Sequence, residues 1–427
     1  MSAAPPFEPV WRRPARQRLL HAPLEAGEEV DVAIVGAGLL GLSTGYHAAG
    51  LGLTVRVLEA LEVGQGASGL NGGQVIPGLK FDPEALIARF GGKQGEGLVA
   101  FAAATADTVF DLIDARAFDV QRARAGWIQA AHTATAMRAA ERRNAEWRAR
   151  GADVEMLDGD TVARLTGARG YLGGWLDRRA GTVDPLSFVL ELGRIAVEAG
   201  VRISEGTRAT SLRRSGSSWR IGTANGDHVE AKNVLVATNA YSDALVPGLA
   251  ETIVPLQSFQ IATGPLPSAQ LEPILPEGQA VSDSRRILVY YRRAGDRLVL
   301  GGRGRMGQPA GPSDWAHLER ALARLYPSLS GVPIDKRWFG RVAMTPDHLP
   351  HVHQPEEGLV AVIGCQGRGV GLMTALGQRL ADYLVTGDRR AIPFPPTPIR
   401  PIAFHRFRQI GVAATIAAYR LLDAVER

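Results

Sequence analysis

Cysteine is almost absent from this chain of 427 residues: Cys365 stands alone, which excludes an intrachain disulfide framework and suits a reducing compartment. Long apolar runs are missing as well. No stretch approaches the about 20 residues of a membrane-spanning helix, so the chain reads as a soluble protein. Charge of one sign never accumulates: 48 basic against 43 acidic residues leave +5, with no run of five like charges, and a nucleic-acid partner finds no support. HExxH, CxxC and Ser/His/Asp signatures are absent, which leaves metal-assisted and triad hydrolysis without a basis in the sequence. Arg12, Arg13, Arg16 and Arg18 lie among prolines near the amino terminus, but no apolar stretch follows them before residue 31. An export signal needs one, so residues 1–29 read as an irregular arm over the surface, and the cytoplasm as the location.

What is present begins at residues 31–60, DVAIVGAGLLGLSTGYHAAGLGLTVRVLEA: an apolar strand, a Gly-x-Gly-x-x-Gly turn, a helix, a second strand and an acidic residue. Gly36 lets the chain turn sharply, Gly38 lets backbone approach a pyrophosphate, and Gly41 lets helix and strand pack closely. The helix start then offers unpaired N–H groups to phosphate. Glu59 closes the second strand, where a carboxylate accepts from a ribose 2′-hydroxyl, which disfavours NADP. The unit alone leaves NAD, FAD and a turn with no ligand open. With 45% apolar and 21% charged residues over this length, two domains are expected.

Residues 61–78 hold six glycines in eighteen positions, with Ser68, Asn71 and Gln74 between them. Such density permits close approach of backbone to another body. Residues 83–118 have helical spacing, 133–150 form a charged helix anchored by Trp147, and 171–185 read as a short extended pair before a helix opened by Asp184-Pro185. A strand near 201–204, the segment 207–212, a hairpin at Asn225-Gly226 and the strand 233–238 return the chain to its first sheet. Alternating patterns at 255–302 read as antiparallel strands of a second domain. Residues 358–387 then repeat the strand, Gly-rich turn and helix of the opening.

Four pieces thus stand in order: GxGxxG with Glu59, the 68–73 stretch, NVLVATNAY at 233–241, and GCQGRGVG before the last core helix. This order resembles the FAD-dependent D-amino-acid oxidase superfamily, the group of glycine oxidase, sarcosine oxidase and related amine oxidoreductases, over about residues 28–420. Within it, ASGLNGGQ, NAYSDALVPGL, the YYR-x-x-GDRL hairpin and PFPPTPIR are most similar to γ-glutamylputrescine oxidoreductases. The resemblance implies an α/β (α+β) fold, in which a Rossmann-like FAD-binding domain interleaves with a mixed or antiparallel substrate domain. Residues 30–90, 151–250 and 336–390 would form the first, 91–150 and 251–335 the second, and 391–427 a carboxyl-terminal extension.

It further implies that Gly36, Gly38, Leu39 and Gly41 hold the FAD pyrophosphate and Glu59 the ribose, with Ala67 and Ser68 adding phosphate contacts. Asn71, Gly72 and Gly73 would run under the flavin. Ala209 would bond adenine through its backbone, and Ala237 lies on a strand that relatives end in Ala-Thr-Gly, where this chain has Asn239. Gly369, Val370 and Gly371 would present N–H groups to the anionic edge of reduced flavin. Arg368, where relatives often have histidine, would stabilise that flavin or bind an anionic substrate group; an exposed salt bridge is the alternative. Sarcosine oxidases attach flavin through a cysteine near positions 340–342; here Gly340, Arg341 and Val342 stand there and Cys365 elsewhere, so FAD is expected to be noncovalent. Their lysine near the flavin corresponds to Val299. His348, His351 and His353 fall where relatives have a turn, and no metal is expected.

Flavin amine oxidation needs a site that orients a neutral amine and excludes water. The candidate catalytic and substrate-wall residues are Tyr290, Tyr291 and Arg368. Alternation along the strand lets only one tyrosine face inward, where its ring attracts a cation. Gln260 and Trp127 join the same wall, and Arg292, Arg303 and Arg368 are available to clamp a carboxylate. The expected partner is a small amine or amino acid, with O2 or an electron carrier as acceptor. The activity expected is oxidation of an amine C–N bond; a D-amino-acid, glycine or imino-acid oxidase or dehydrogenase, and a flavin-binding subunit or sensor, are the alternatives. The tail at 399–427 reads as an amphipathic helix that packs on its own protein, on a subunit in a homo-oligomer, or on a membrane surface.

Overall fold

The strand Glu28–Val35 buries all four residues from Val32 to Val35. A strand apolar on both faces belongs inside a parallel sheet covered on both sides. In the computed structural model, which describes residues 8–11, 21–25 and 27–425, this strand pairs in parallel with Val55–Leu58 on one side and with His228–Val236 on the other. Arg202–Ser204 extends the sheet beyond Val55–Leu58, and Leu359–Ile363 extends it beyond His228–Val236, both in parallel. The antiparallel hairpin of Ala209–Ser215 and Ser218–Thr223 lies along the first half of His228–Val236, and His351–Glu356 runs antiparallel beside Leu359–Ile363.

This order places a single strand between the two that end in glycine-rich turns. Both turns therefore open at the carboxyl ends of the strands, where open parallel sheets bind ligands. The helices that follow them, Leu39–Gly50 and Gly369–Thr386, pack together: Ser43 Oγ donates to the Thr374 carbonyl at 2.7 Å, and a Cβ on Gly377 would stand 2.5 Å from Ser43 Cβ.

A second sheet of eight strands runs in the order Ile334–Met344, Val254–Thr263, Arg297–Arg303, Val289–Ala294, Ala280–Asp283, Trp127–Ala131, Gly173–Asp177 and Val154–Asp158. All its pairings are antiparallel except that of Ala280–Asp283 with Trp127–Ala131. Strands within 151–177 and the whole of Ile334–Met344 thus pair in this second sheet, whereas the sequence groups 151–250 and 336–390 with the FAD unit. The two extended segments within 171–185 join different sheets: Gly173–Asp177 joins this one, and Gly181–Val183 joins a small one with Gln74–Val75 and Arg122–Ala123. Pairing partners far away in sequence decide both outcomes. The helical region 83–118 is two helices, Pro83–Phe90 and Gly92–Ala115, broken where Gly91 takes φ +79.

Arg12, Arg13, Arg16 and Arg18 lie outside the described residues. Trp11 is buried, edge-on to Trp338 at 5.5 Å, so the arm is tucked into the body at that point. The histidines before the flavin strand are tied to the chain itself: His351 bonds Asp347 Oδ1 at 3.0 Å and Thr397 Oγ1 at 2.9 Å, and His353 Nδ1 lies 2.8 Å from the Thr397 carbonyl. Among the described residues no helix is long and apolar enough to cross a membrane.

Candidate active site

The first glycine turn is built as its spacing demands. Gly36 has φ +106, and a Cβ on Gly41 would collide with the Gly36 carbonyl at 2.0 Å. Gly38 caps the helix without a side chain, and the Leu39 N–H donates to Ser68 Oγ at 3.0 Å. Ser68 sits in the short helix Ala67–Leu70, which brings the second glycine-rich stretch over the first. Glu59 accepts from the Ala37 N–H at 2.8 Å and the Leu61 N–H at 3.0 Å, leaving lone pairs for a hydroxyl, while burial raises its carboxyl above the usual range. Asn71 turns the chain again: its Nδ2 donates to the Ser68 carbonyl at 2.7 Å and its Oδ1 accepts from Gly73 N–H at 2.8 Å. Asn239 takes φ +46, which asparagine tolerates, and its Oδ1 accepts from Gly364 N–H at 2.9 Å.

From this turn a cavity of about 290 Å3 runs to the substrate sheet. Its walls include Gly38, Leu39, Ala67, Ser68, Asn71, Gly72 and Ala237 from the parallel-sheet side, Arg368, Gly369 and Val370 from the last core helix, and Trp127, Gln260 and Tyr290 from the second sheet. Gly36, Gly41, Glu59, Gly73 and Ala209 support the turn, its flank or the sheet edge and do not line it. Gly371 does not line it either: a Cβ there would stand 3.0 Å from the Thr105 carbonyl, so this glycine lets two helices approach.

The two tyrosines separate as alternation requires. Tyr290 faces the cavity with its hydroxyl 2.7 Å from Ser258 Oγ, and burial pushes that hydroxyl up to about 12. Tyr291 points into the core, edge-on to Tyr326 at 5.8 Å, and does not line the cavity. Arg292 is withdrawn: its guanidinium donates to the Gly73 and Val183 carbonyls and lies over the Trp11 ring. Arg303 also lies off the wall. Cys365 lies on the wall because the turn after Leu359–Ile363 carries it there.

Charge at one end of the cavity is uneven. Arg143 binds Asp82 through two nitrogens and donates to Gln129 Oε1 at 2.6 Å; Arg179 binds Asp177 at 2.6 Å. Arg368 donates to the Pro77 carbonyl at 2.5 Å and lies 5.4 Å from the Trp127 ring, and no carboxylate among the described residues pairs with it or with Lys80. Lys80 also lines the cavity. Lys80 is exposed, yet desolvation at this position, with Arg368 and Arg143 nearby, lowers its ammonium to about 8. Enclosure likewise lowers Arg368 to about 10. Asp283, also on the wall, is matched by Arg285 at 2.7 Å.

Lys80, Gln129 and Arg341 line the site and were not singled out as contacts from the sequence. Lys80 follows Gly73 by seven residues, and its distance from the glycine stretch is the one signal that marks it.

The walls fit FAD. Gly38 and Gly72 offer bare backbone, a Cβ on Gly72 would press on the Tyr290 ring at 2.7 Å, and no side chain caps either helix start. Gln260 Oε1, buried on the wall, has no hydrogen-bond partner among the described residues, so an acceptor waits there for a ligand N–H.

A sequence profile of the family described as FAD dependent oxidoreductase matches residues 31–383. The chain is 28% identical over 417 residues to the probable oxidoreductase OrdL of Haemophilus influenzae, covering 94% of each. It is 29% identical over 393 residues to the gamma-glutamylputrescine oxidoreductase of Escherichia coli, covering 91% of each. The structure of glycine oxidase from Geobacillus kaustophilus shares its fold with a TM-score of 0.74 at 22% identity, over 87% of this chain and 99% of that one.

Proposed function

The chain belongs to the FAD-dependent oxidoreductase family, and from that premise we propose that it oxidises a C–N bond of a small amine that also carries a carboxylate. A hydride equivalent and a proton, two electrons and two protons in all, leave the carbon–nitrogen unit, an imine forms, and water hydrolyses it to a carbonyl compound and ammonia or a smaller amine. Bound FAD supplies the two-electron acceptor. Gly38 and Ser68, whose Oγ accepts from the Leu39 N–H, would hold its pyrophosphate, and the uncapped start of Gly369–Thr386 would face developing negative charge.

The observation that carries this reading is the continuity of one cavity from the dinucleotide turn to a wall of Trp127, Gln260 and Tyr290. Gln260 Oε1 suits an amine N–H, and the Tyr290 ring suits a cationic or polar edge. At the far end Lys80 and Arg368 carry positive charge that no carboxylate of the described chain balances. A simple diamine, cationic at both ends, is repelled there, whereas γ-glutamylputrescine and amino acids bring a carboxylate. The similarity to gamma-glutamylputrescine oxidoreductase supports the first of these. A flavin-binding subunit or sensor would need no such wall.

Product analysis tests the proposal. Incubation with each carboxylate-bearing amine, with the carbonyl product trapped as a hydrazone, should yield one equivalent of trapped product per amine consumed. Amine that is never consumed, with FAD bound and an acceptor present, would refute it.

A further inference from the structure

The carboxyl-terminal segment carries an exposed apolar surface. Of the ten large hydrophobic side chains exposed among the described residues, five fall between 404 and 422: Phe404 at 79%, Phe407 at 49%, Ile410 at 69%, Tyr419 at 36% and Leu422 at 44%. Isolated exposed hydrophobics are ordinary, but a cluster of this density marks an interaction surface.

The helix Arg408–Val425 carries three of the five, and Phe404 and Phe407 stand just before it. Ile410, Gly411, Ala414, Ala418 and Leu422 fall within about 120° of one face at 100° per residue. Those five are exposed, whereas on the other side Arg408, Val412 and Ile416 are half-buried and Tyr419 is exposed. The segment is fastened to the body at its start, where the Ile402 N–H donates to the Glu251 carbonyl at 2.9 Å and a ring nitrogen of His405 lies 2.8 Å from the Ile253 carbonyl. The helix is therefore partly shielded on one side, and an apolar stripe is left facing outward.

Charge decides what covers that stripe. Between Asp388 and Asp423 the sequence holds six arginines, Arg389, Arg390, Arg400, Arg406, Arg408 and Arg420, and no carboxylate. A second copy docked on the same face about a two-fold axis would bring two such basic segments together. The amino-terminal arm, with Arg12, Arg13, Arg16 and Arg18, is basic too. An anionic lipid surface matches both features, since headgroups neutralise arginines while aromatic and aliphatic side chains enter the acyl boundary. We propose that residues 400–422 form an interfacial anchor that seats the enzyme on an anionic membrane surface, with Phe404, Phe407, Ile410 and Leu422 inserted and Arg400 and Arg406 against the headgroups.

Co-sedimentation of the FAD-loaded protein with vesicles tests this. Phosphatidylcholine vesicles with about 30% phosphatidylglycerol should bind it, pure phosphatidylcholine should bind it much less, and raising salt from about 0.05 to about 0.5 M should weaken binding about tenfold or more. Phe404→Ser/Phe407→Ser/Ile410→Ser and, separately, Arg400→Gln/Arg406→Gln should each lose the vesicle binding while retaining FAD and its reduction by amine. Equal binding to both vesicle types, or binding that survives in both variants, would overturn the proposal. So would absence from vesicles at low salt, whether the protein then runs as a single species or as a dimer dispersed by the triple substitution; the dimer would identify a second copy as the occupant.

Discussion

Gly72 and the ring of Tyr290 are packed so closely that a Cβ added at Gly72 would stand 2.7 Å from the ring. The ring cannot simply swing aside, because its hydroxyl is held 2.7 Å from Ser258 Oγ. Two sides of the cavity, the glycine-rich stretch and the second sheet, thus meet in one contact.

Gly72→Ala should therefore weaken FAD without unfolding the chain. Overpacking at such a contact costs about 1–3 kcal/mol, which is roughly ten- to hundredfold in Kd. Titration of apoprotein with FAD, followed by quenching of flavin fluorescence, measures it; an unchanged Kd would show that the flavin does not pass beneath Tyr290.

Lys80 gives the site a pH dependence with a definite sign. Its ammonium, lowered to about 8, is charged below that pH and loses its proton as pH rises through it. A carboxylate without an amine, such as glutarate, should inhibit best below about pH 8 and progressively less above it. Lys80→Met should weaken that inhibition about tenfold at neutral pH, the scale of one charge-assisted hydrogen bond, and flatten its pH profile between about 7 and 9. A profile that Lys80→Met leaves unaltered would remove Lys80 from the binding site.

The place of Cys365 on the cavity wall bears on how FAD is held. Noncovalent binding predicts that acid precipitation leaves all flavin in the supernatant, in the native protein and in Cys365→Ser alike. Colour retained in the native pellet and lost from the Cys365→Ser pellet would mean a thioether instead.

The legibility of this fold in its sequence follows the range of the forces involved. The turn at Gly36 to Gly41 is readable because its constraints are local: a positive φ at Gly36, a backbone collision at Gly41 and a bare approach at Gly38. The division of Tyr290 from Tyr291 was partly readable, since alternation allows one inward ring; which one depends on pairing with Arg297–Arg303. Residues 154–177 were misplaced because their strands are fixed by Trp127–Ala131, and nothing within the segment names that partner. Lys80 was passed over for the same reason. Its importance comes from Arg143 and Arg179 consuming the two nearby aspartates, an arithmetic of charge that exists only after folding. Arg292 shows the converse, an apparently free cation that burial ties to backbone carbonyls.

The central claim is that one cavity brings an amine to FAD, and anaerobic mixing tests it most directly. The purified, FAD-loaded protein is mixed without oxygen with a panel of amines while the flavin absorbance is followed, which reports electron transfer from substrate whatever the later acceptor. The account predicts rapid bleaching by at least one amine that carries a carboxylate, and little or none by simple diamines of the same length. Flavin that stays oxidised with every amine, in protein holding one FAD per chain, would contradict it.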